Sequence, residues 1–429
     1  MNSYLEKHSF CEKQITEAPL PGLGMVVVIP CHNEPHLLKT LNSIAACALP
    51  KCNVEVIVVI NAGENNSEEI SKENTFTEVE LERWIIQNES VALRYFYITN
   101  NALPAKDAGV GLARKIGMDE AVRRFDAIEN ENGVIVCLDA DCTVENNYLT
   151  ALENHFLLHA ATTGCSVYFE HPLQGDEFAP EVYEGIVRYE LFLRYYNCGQ
   201  RFSGYPFAWH TIGSSMAVRT KIYQQQGGMN KRKAGEDFYF LTKLFPLGDF
   251  TELNNTKVFP SPRPSERVPF GTGKAINKWL EEGTNNLPTY NPKTFTDLAE
   301  LVQLVPELYG AGVDSIRQKT QHLPPALLAF LGNNELENKL TEINGNVKSK
   351  EQFINRFYRW FGNFTVLKFV HFARDNYYGQ QSIETAAKDL LEAAGIEFSE
   401  TITAKELLLL YRELERNNKA ALIVKAALV

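Results

Sequence analysis

Gly133-Val134-Ile135-Val136-Cys137-Leu138, followed at once by Asp139-Ala140-Asp141, is the stretch on which the fold turns. Its apolar residues run without polar alternation, which suits a strand buried on both faces of a parallel sheet. The strand then ends in two carboxylates one residue apart, a costly end to bury unless something pairs with the acids. Two equally continuous runs precede it, 25–30 (MVVVIP) and 54–60 (VEVIVVI). Helical patterns at 37–46 and 107–125 lie between these runs, and strand-like stretches at 93–98 and 164–169 extend the series. Repeated β-then-α order predicts an α/β doubly wound sheet with ligands beyond the carboxyl ends of its strands.

The 429 residues allow two to four domains, at roughly 100–200 residues each. We expect a polar leader over 1–24, the α/β domain over 25–275 and a helical C-terminal region over 276–429. Hydrophobic residues make up 45 % and charged residues 22 % of the chain, so a core needs no disulfide or metal staple. The net charge of −11 argues against a nucleic-acid partner, which needs a Lys/Arg surplus; a local phosphate site remains open. Eight cysteines carry no CxxC or zinc spacing, and their pattern predicts buried free thiols in a reducing, cytoplasmic compartment. The first 20 residues lack an apolar signal core. No apolar run approaches the roughly 20 residues of a membrane span, so a soluble protein without a transmembrane segment is expected, with peripheral membrane contact left open.

Two acids after a buried strand suit Mn²⁺ or Mg²⁺, with the cation in turn neutralising a diphosphate. Two enzyme classes place such a pair there. Asp139, Asp141 and Thr143 match the DxDxT pattern of phosphoaspartate phosphatases, although three strands precede this one. The other class transfers sugars from nucleotides. A catalytically silent nucleotide-binding protein is a third reading. Pro/Gly/Arg-rich 259–273 reads as a linker or an active-site flap, in which Arg263, Arg267 or Lys274 could meet a diphosphate. Gly271-Thr272-Gly273-Lys274 lacks phosphate-loop spacing. His171 and His210 are conceivable further metal ligands, and the aromatics of 189–196 and 205–209 are either core or a platform for an acceptor sugar.

Several motifs, in order, resemble family 2 glycosyltransferases. Val26-Val27-Val28-Ile29-Pro30-Cys31-His32-Asn33-Glu34 is similar to that family's opening strand, and Leu37, Leu38, Leu41 and Ile44 to the helix after it. Asn61 stands where the family commonly has an Asp that contacts the base. Gly109-Val110-Gly111-Leu112-Ala113-Arg114 resembles its Gly-x-x-x-Ala-Arg helix start, Asp139 and Asp141 its DxD, and Gly235-Glu236-Asp237 its Glu-Asp motif. The resemblance spans about residues 24–275. It implies a GT-A-type, Rossmann-like mixed sheet and a metal-dependent, inverting transfer of a hexose from a UDP- or GDP-linked sugar. The implied acceptor is a saccharide, a lipid-linked group or a small solute. It also implies Asp141 as metal ligand with Asp139 beside it, Asp237 as general base, and Glu236 near the donor. Pro30, His32, Asn33, Glu34 and Asn61 would line the nucleoside, and Arg114 or Lys106 would meet a phosphate oxygen. Asn33 and Glu34 are equally placed to cap a helix beginning at Pro35, and Asp237 to stabilise a helix N-terminus.

Overall fold

The computed structural model describes residues 2–267, 271–283 and 286–417; three residues of the expected flap, 268–270, and the last twelve of the helical region lie outside them. The chain divides into two compact units, residues 1–172 with 211–274, and residues 173–210 with 275–429. The first unit therefore continues past an interruption, and the segment 173–210 that interrupts it belongs with the C-terminal helices.

The first unit is an eight-stranded mixed sheet. Its strands are β1 (Leu23–Cys31), β2 (Asn53–Gly63), β3 (Leu93–Leu103), β4 (Val134–Cys137), β5 (Thr143–Val144), β6 (Gly164–Phe169), β7 (Met216–Arg219) and β8 (Phe250–Phe259), in spatial order β3-β2-β1-β4-β7-β6-β8-β5. β1 runs parallel to both β2 and β4, with Val27 opposite Val56 on one side and Val136 on the other. β7 is antiparallel to β4 and β6. The expected Rossmann-like doubly wound mixed sheet followed by a helical region is what the chain forms. Strand order reverses between β1 and β4, the kind of switch point at which ligands enter such sheets.

Around the sheet lie α1 (Ser3–His8), α2 (Leu37–Ala45), α3 (Glu68–Asn88), α4 (Val110–Asp126) and α5 (Tyr148–Leu158). α2 starts two residues after Pro35, and Glu34 instead accepts the His36 N–H at 2.9 Å. α4 is buried almost throughout and lies close against the sheet. A Cβ at Gly117 would come within 2.4 Å of Val28, so only glycine lets the helix approach β1 this nearly. Such burial leaves five charged side chains of α4 in need of partners. Arg124 forks onto Glu55 at 2.6 and 2.7 Å, and Asp119 receives the hydroxyls of Tyr4 and Tyr223 at 2.7 and 2.8 Å and the Lys115 ammonium at 3.0 Å. Glu120 accepts the backbone N–H groups of Gln14 and Ile15, both at 3.1 Å, and Arg114 belongs to the site described below.

The leader is thus a strap over α4. Tyr4→Ala is expected to lower the unfolding free energy by about 3–5 kcal/mol, as removal of a buried aromatic does. Lys7→Ala, on the exposed side of α1, should stay within about 0.5 kcal/mol. Urea unfolding of the two variants checks this, and equal midpoints would show that the leader is not docked.

The second unit is helical. It opens with α6 (Pro180–Phe202), and its core includes Leu191, Tyr195, Tyr205, Phe295, Phe330, Phe353, Phe369 and Leu407. Tyr205 donates to the Phe361 carbonyl at 3.1 Å and Tyr195 to the Tyr290 carbonyl at 2.7 Å; these aromatics of 189–209 are core residues. A buried charge network crosses from α6 to the helix Ala404–Arg416. Glu190 accepts from Arg194 and Arg412 at 2.7–2.8 Å, and Glu415 from Arg194 and His210. No helix among the described residues is long and apolar enough to cross a membrane. All eight cysteines are free thiols.

Candidate functional site

The site lies where β1 and β4 end. Beyond β4 the chain continues with the Leu138 N–H donating to the Val28 carbonyl at 3.1 Å, which places Asp139 and Asp141 just past the strand end. Asp139 is partly exposed and its Oδ1 accepts from Arg114 Nη2 at 2.6 Å. The other terminal nitrogen of Arg114 is held by Glu236, the first residue of α8 (Glu236–Leu244), which follows α7 (Thr220–Gln225). A guanidinium that is 1 % exposed therefore joins the DxD motif to the Glu-Asp motif. Burial alone would lower the Arg114 pKa, but Glu236 and then Asp139 outweigh it and the group is raised above its ordinary value. Glycine makes the approach possible here too: a Cβ on Gly111 would fall 2.2 Å from the Arg232 carbonyl and 3.0 Å from Glu236 Cβ.

Asp237 follows in the first turn of α8, half-buried, with Oδ1 accepting the Phe238 N–H at 2.7 Å. Burial raises its pKa, opposed by Arg114 and the Phe238 N–H and aided by Asp139. Glu236 is lifted to about 7, again chiefly by burial, while Arg114 pulls it down. Asp141 is raised to about 6 by burial first, then by Asp139 and Glu34, against Arg267 and Arg263.

On the β1 side, Glu34 is buried and acts as an anchor. Its Oε2 accepts from Arg263 and, at 2.8 Å, from Arg267. Arg267 also donates to the carbonyls of His32 and Asn33 at 2.9 and 3.3 Å. Both guanidinium groups stand 3.9–4.0 Å from Asp141. Two cations contributed by residues far along the chain thus sit at the mouth of the carboxylate cluster.

The sequence-predicted residues divide accordingly. Asp139, Asp141, Glu34, Glu236 and Asp237 come together with Arg114, Arg263 and Arg267. Arg114, expected at a phosphate oxygen, has both terminal nitrogens on carboxylates instead, because it is too buried to stand without them. Lys106 is exposed in the turn after β3 and makes none of these contacts. Pro30 is buried within β1, opposite Val59. Asn61 turns its amide nitrogen inward to the Cys31 carbonyl at 2.8 Å. Asn33 takes a left-handed conformation with φ of 48°, tolerable for asparagine, and donates its N–H to Asn74 Oδ1 at 3.3 Å. Asn74, which the sequence reading missed, also donates to Asn61 O and Asn101 Oδ1; no local motif marks it. His210 is engaged with Glu415 in the helical unit, and His171 lies 3.5 Å from Thr272 Oγ1.

No three His, Cys, Asp or Glu side chains gather to hold a metal among the described residues. Asp139 and Asp141 are of the oxygen-donor type that a hard cation takes; here Asp139 accepts from Arg114 and Asp141 faces Arg263 and Arg267.

No protein-family model matches the sequence, and no curated protein does. Among solved structures, the chain is similar to S. aureus TarS 1–349 in complex with UDP-GlcNAc, at 15 % identity and TM-score 0.39, over 94 % of this chain and 91 % of that one. It is also similar to S. aureus TarS 1–349 in complex with UDP, at 13 % identity and TM-score 0.38, over 79 % and 92 %. Likeness this distant leaves the site to be read from its own residues.

Proposed function

We propose that the chain is a glycosyltransferase that moves a sugar from a nucleoside diphosphate sugar to an acceptor hydroxyl, with inversion and with Mn²⁺ or Mg²⁺. The observation that carries this is the joining, through Arg114, of the carboxylates beyond β4 to the acid pair of α8, at a switch point faced by two arginines. Asp141 and Asp139 would hold the cation, which when bound neutralises charge on the leaving diphosphate. Arg263 and Arg267, which stand 3.9–4.0 Å from Asp141, would meet oxygens of that diphosphate, since an arginine fork matches phosphate geometry. Asp237 takes the proton of the acceptor hydroxyl as its oxygen bonds to the anomeric carbon. The bond from that carbon to the diphosphate oxygen breaks, and its electron pair leaves with the diphosphate. Burial that lifts the Asp237 pKa strengthens it as a base, while the Arg114 charge limits the rise. A DxDxT phosphatase would place a lysine beside the nucleophile, whereas the cations facing this cluster among the described residues are arginines. The eight free thiols favour a reducing, cytoplasmic setting.

Calorimetry with UDP and GDP, with and without Mn²⁺, tests the donor site. Asp141→Ala is expected to abolish the metal-dependent gain in affinity. The same variant should melt no lower than the parent at neutral pH without ligand. The sign follows from the raised pKa: an ionised Asp141 costs the folded state stability as pH rises from the ordinary carboxylate range through about 6. Metal-dependent affinity that survives the substitution would remove Asp141 from the cation site. Turnover with a nucleotide sugar separates a transferase from a silent binding protein.

A further inference from the structure

We infer that Thr40 is a positioning residue of the proposed donor site: its hydroxyl holds the peptide between Ala140 and Asp141 in one orientation and so fixes where the Asp141 carboxylate stands. The inference rests on the proposed function and deepens it, naming what sets the geometry of that site from outside it.

Residues Asp139 to Cys142 form a β-turn, closed by the Cys142 N–H donating to the Asp139 carbonyl at 3.1 Å. Ala140 and Asp141 are its central residues. The two common forms of such a turn differ mainly by a half rotation of the central peptide, and the second form needs a positive φ at the third residue. Asp141 is not among the non-glycine residues with positive φ, so the turn takes the first form. Residue type alone does not enforce this, since aspartate tolerates a positive φ better than most residues. A flip would reverse the sign of φ at Asp141 and redirect its side chain.

The handle on that peptide is the Ala140 carbonyl. Thr40 Oγ1 donates to it at 2.8 Å across 100 residues of chain, from α2, where Thr40 is 1 % exposed. A threonine inside a helix often returns its hydroxyl hydrogen to a carbonyl one turn back. It has one hydrogen to give, and Thr40 gives it to the turn. A flipped peptide would aim the Ala140 carbonyl away from α2 and strand the buried hydroxyl, so the bond selects the observed form. One turn further along α2, Ser43 Oγ accepts the Val144 N–H at 3.2 Å. That bond ties down β5 and leaves the central peptide of the turn alone, which makes Ser43 the control for Thr40.

The test is calorimetry of UDP or GDP, whichever the parent binds more tightly, with Mn²⁺ in every sample and each variant checked for a single melting transition. Thr40→Val keeps the shape of the side chain and removes the hydroxyl. It should weaken binding about tenfold, as when only about a tenth of the molecules keep the competent turn. Thr40→Ser keeps the hydroxyl and should stay within about threefold of the parent. Ser43→Ala loses a bond of the same kind, so it should lower the melting temperature about as Thr40→Val does and leave affinity unchanged. In an Asp141→Ala background, Thr40→Val should weaken binding by less than about twofold more, because no carboxylate is left to position. An equal loss of affinity in Ser43→Ala, or a Thr40→Val loss that persists without the Asp141 carboxylate, would make Thr40 a structural residue and overturn the inference. Parent-like affinity in Thr40→Val, with Asp141→Ala still weakened, would overturn it while leaving the donor site in place. Affinity unchanged by Asp141→Ala would overturn the donor site at Asp141, and this inference with it.

Discussion

Asp237→Asn is expected to lose sugar transfer by about 10²–10⁴-fold, the range that general-base assistance contributes. Asparagine keeps the shape of the side chain and can still receive the Phe238 N–H that Asp237 Oδ1 receives at 2.7 Å, so local structure should persist. Affinity for the nucleoside diphosphate should change little, since the cations of the site, Arg263 and Arg267, gather at Glu34 and Asp141. The pH profile adds a second readout. The Asp237 pKa is raised, chiefly by burial, so the parent's rate should fall on acidification at a pH above the ordinary carboxylate range. The limb belonging to Asp237 should vanish in the variant. A purely structural role at the start of α8 makes a different prediction, a stability loss of about 0.3–1 kcal/mol for a helix-terminal charge with turnover nearly intact. Turnover and melting measured on one preparation decide between them. A variant that transfers at near the parent rate would move the base elsewhere, with Glu236, the preceding residue, the next candidate.

Strands β1, β2 and β4 are legible because both of their faces are buried, leaving continuous apolar runs at 25–30, 54–60 and 133–138. β8 is not, because its burial is interrupted along Phe250–Phe259 and Asn254-Asn255 imitates a turn. The division into units is hidden for a different reason. α6 carries the aromatics of an ordinary buried helix, and only tertiary packing assigns it to the helical unit rather than to the sheet that its position in the chain suggests. The acids of the site were recognisable from their local surroundings, a buried strand end for Asp139 and Asp141 and a helix start for Glu236 and Asp237. Their partners were not. Arg114 meets Glu236 across 122 residues of chain and Arg267 meets Glu34 across 233, and no spacing rule reaches so far. Reading Arg114 as a phosphate ligand followed from its residue type. Its burial, invisible in the sequence, commits it to carboxylates.

That commitment gives Arg114→Met a large expected effect on stability, and one that depends on pH. Removing one member of a buried ion pair leaves the other uncompensated, at about 3–5 kcal/mol. Methionine fills much of the volume, so the loss reports charge more than cavity. The stranded group is Glu236, since Asp139 is more than a third exposed on its side chain and can turn to water. Glu236 already stands at about 7, with Arg114 restraining the upward push of burial. Without the guanidinium its pKa should climb further. A carboxylate whose folded pKa lies above its unfolded value loses stability as pH rises from the unfolded pKa through the folded one. The deficit of the variant against the parent should therefore be small near about pH 5, where Glu236 keeps its proton in the folded state, and largest near about pH 8. Arg114→Lys should recover only part of it, because a single ammonium cannot reproduce the fork that spans two acids. Urea midpoints for parent, Met and Lys variants at the two pH values measure all of this. A deficit independent of pH would mean that Glu236 is not the group left unpaired and that Arg114 contributes by packing alone.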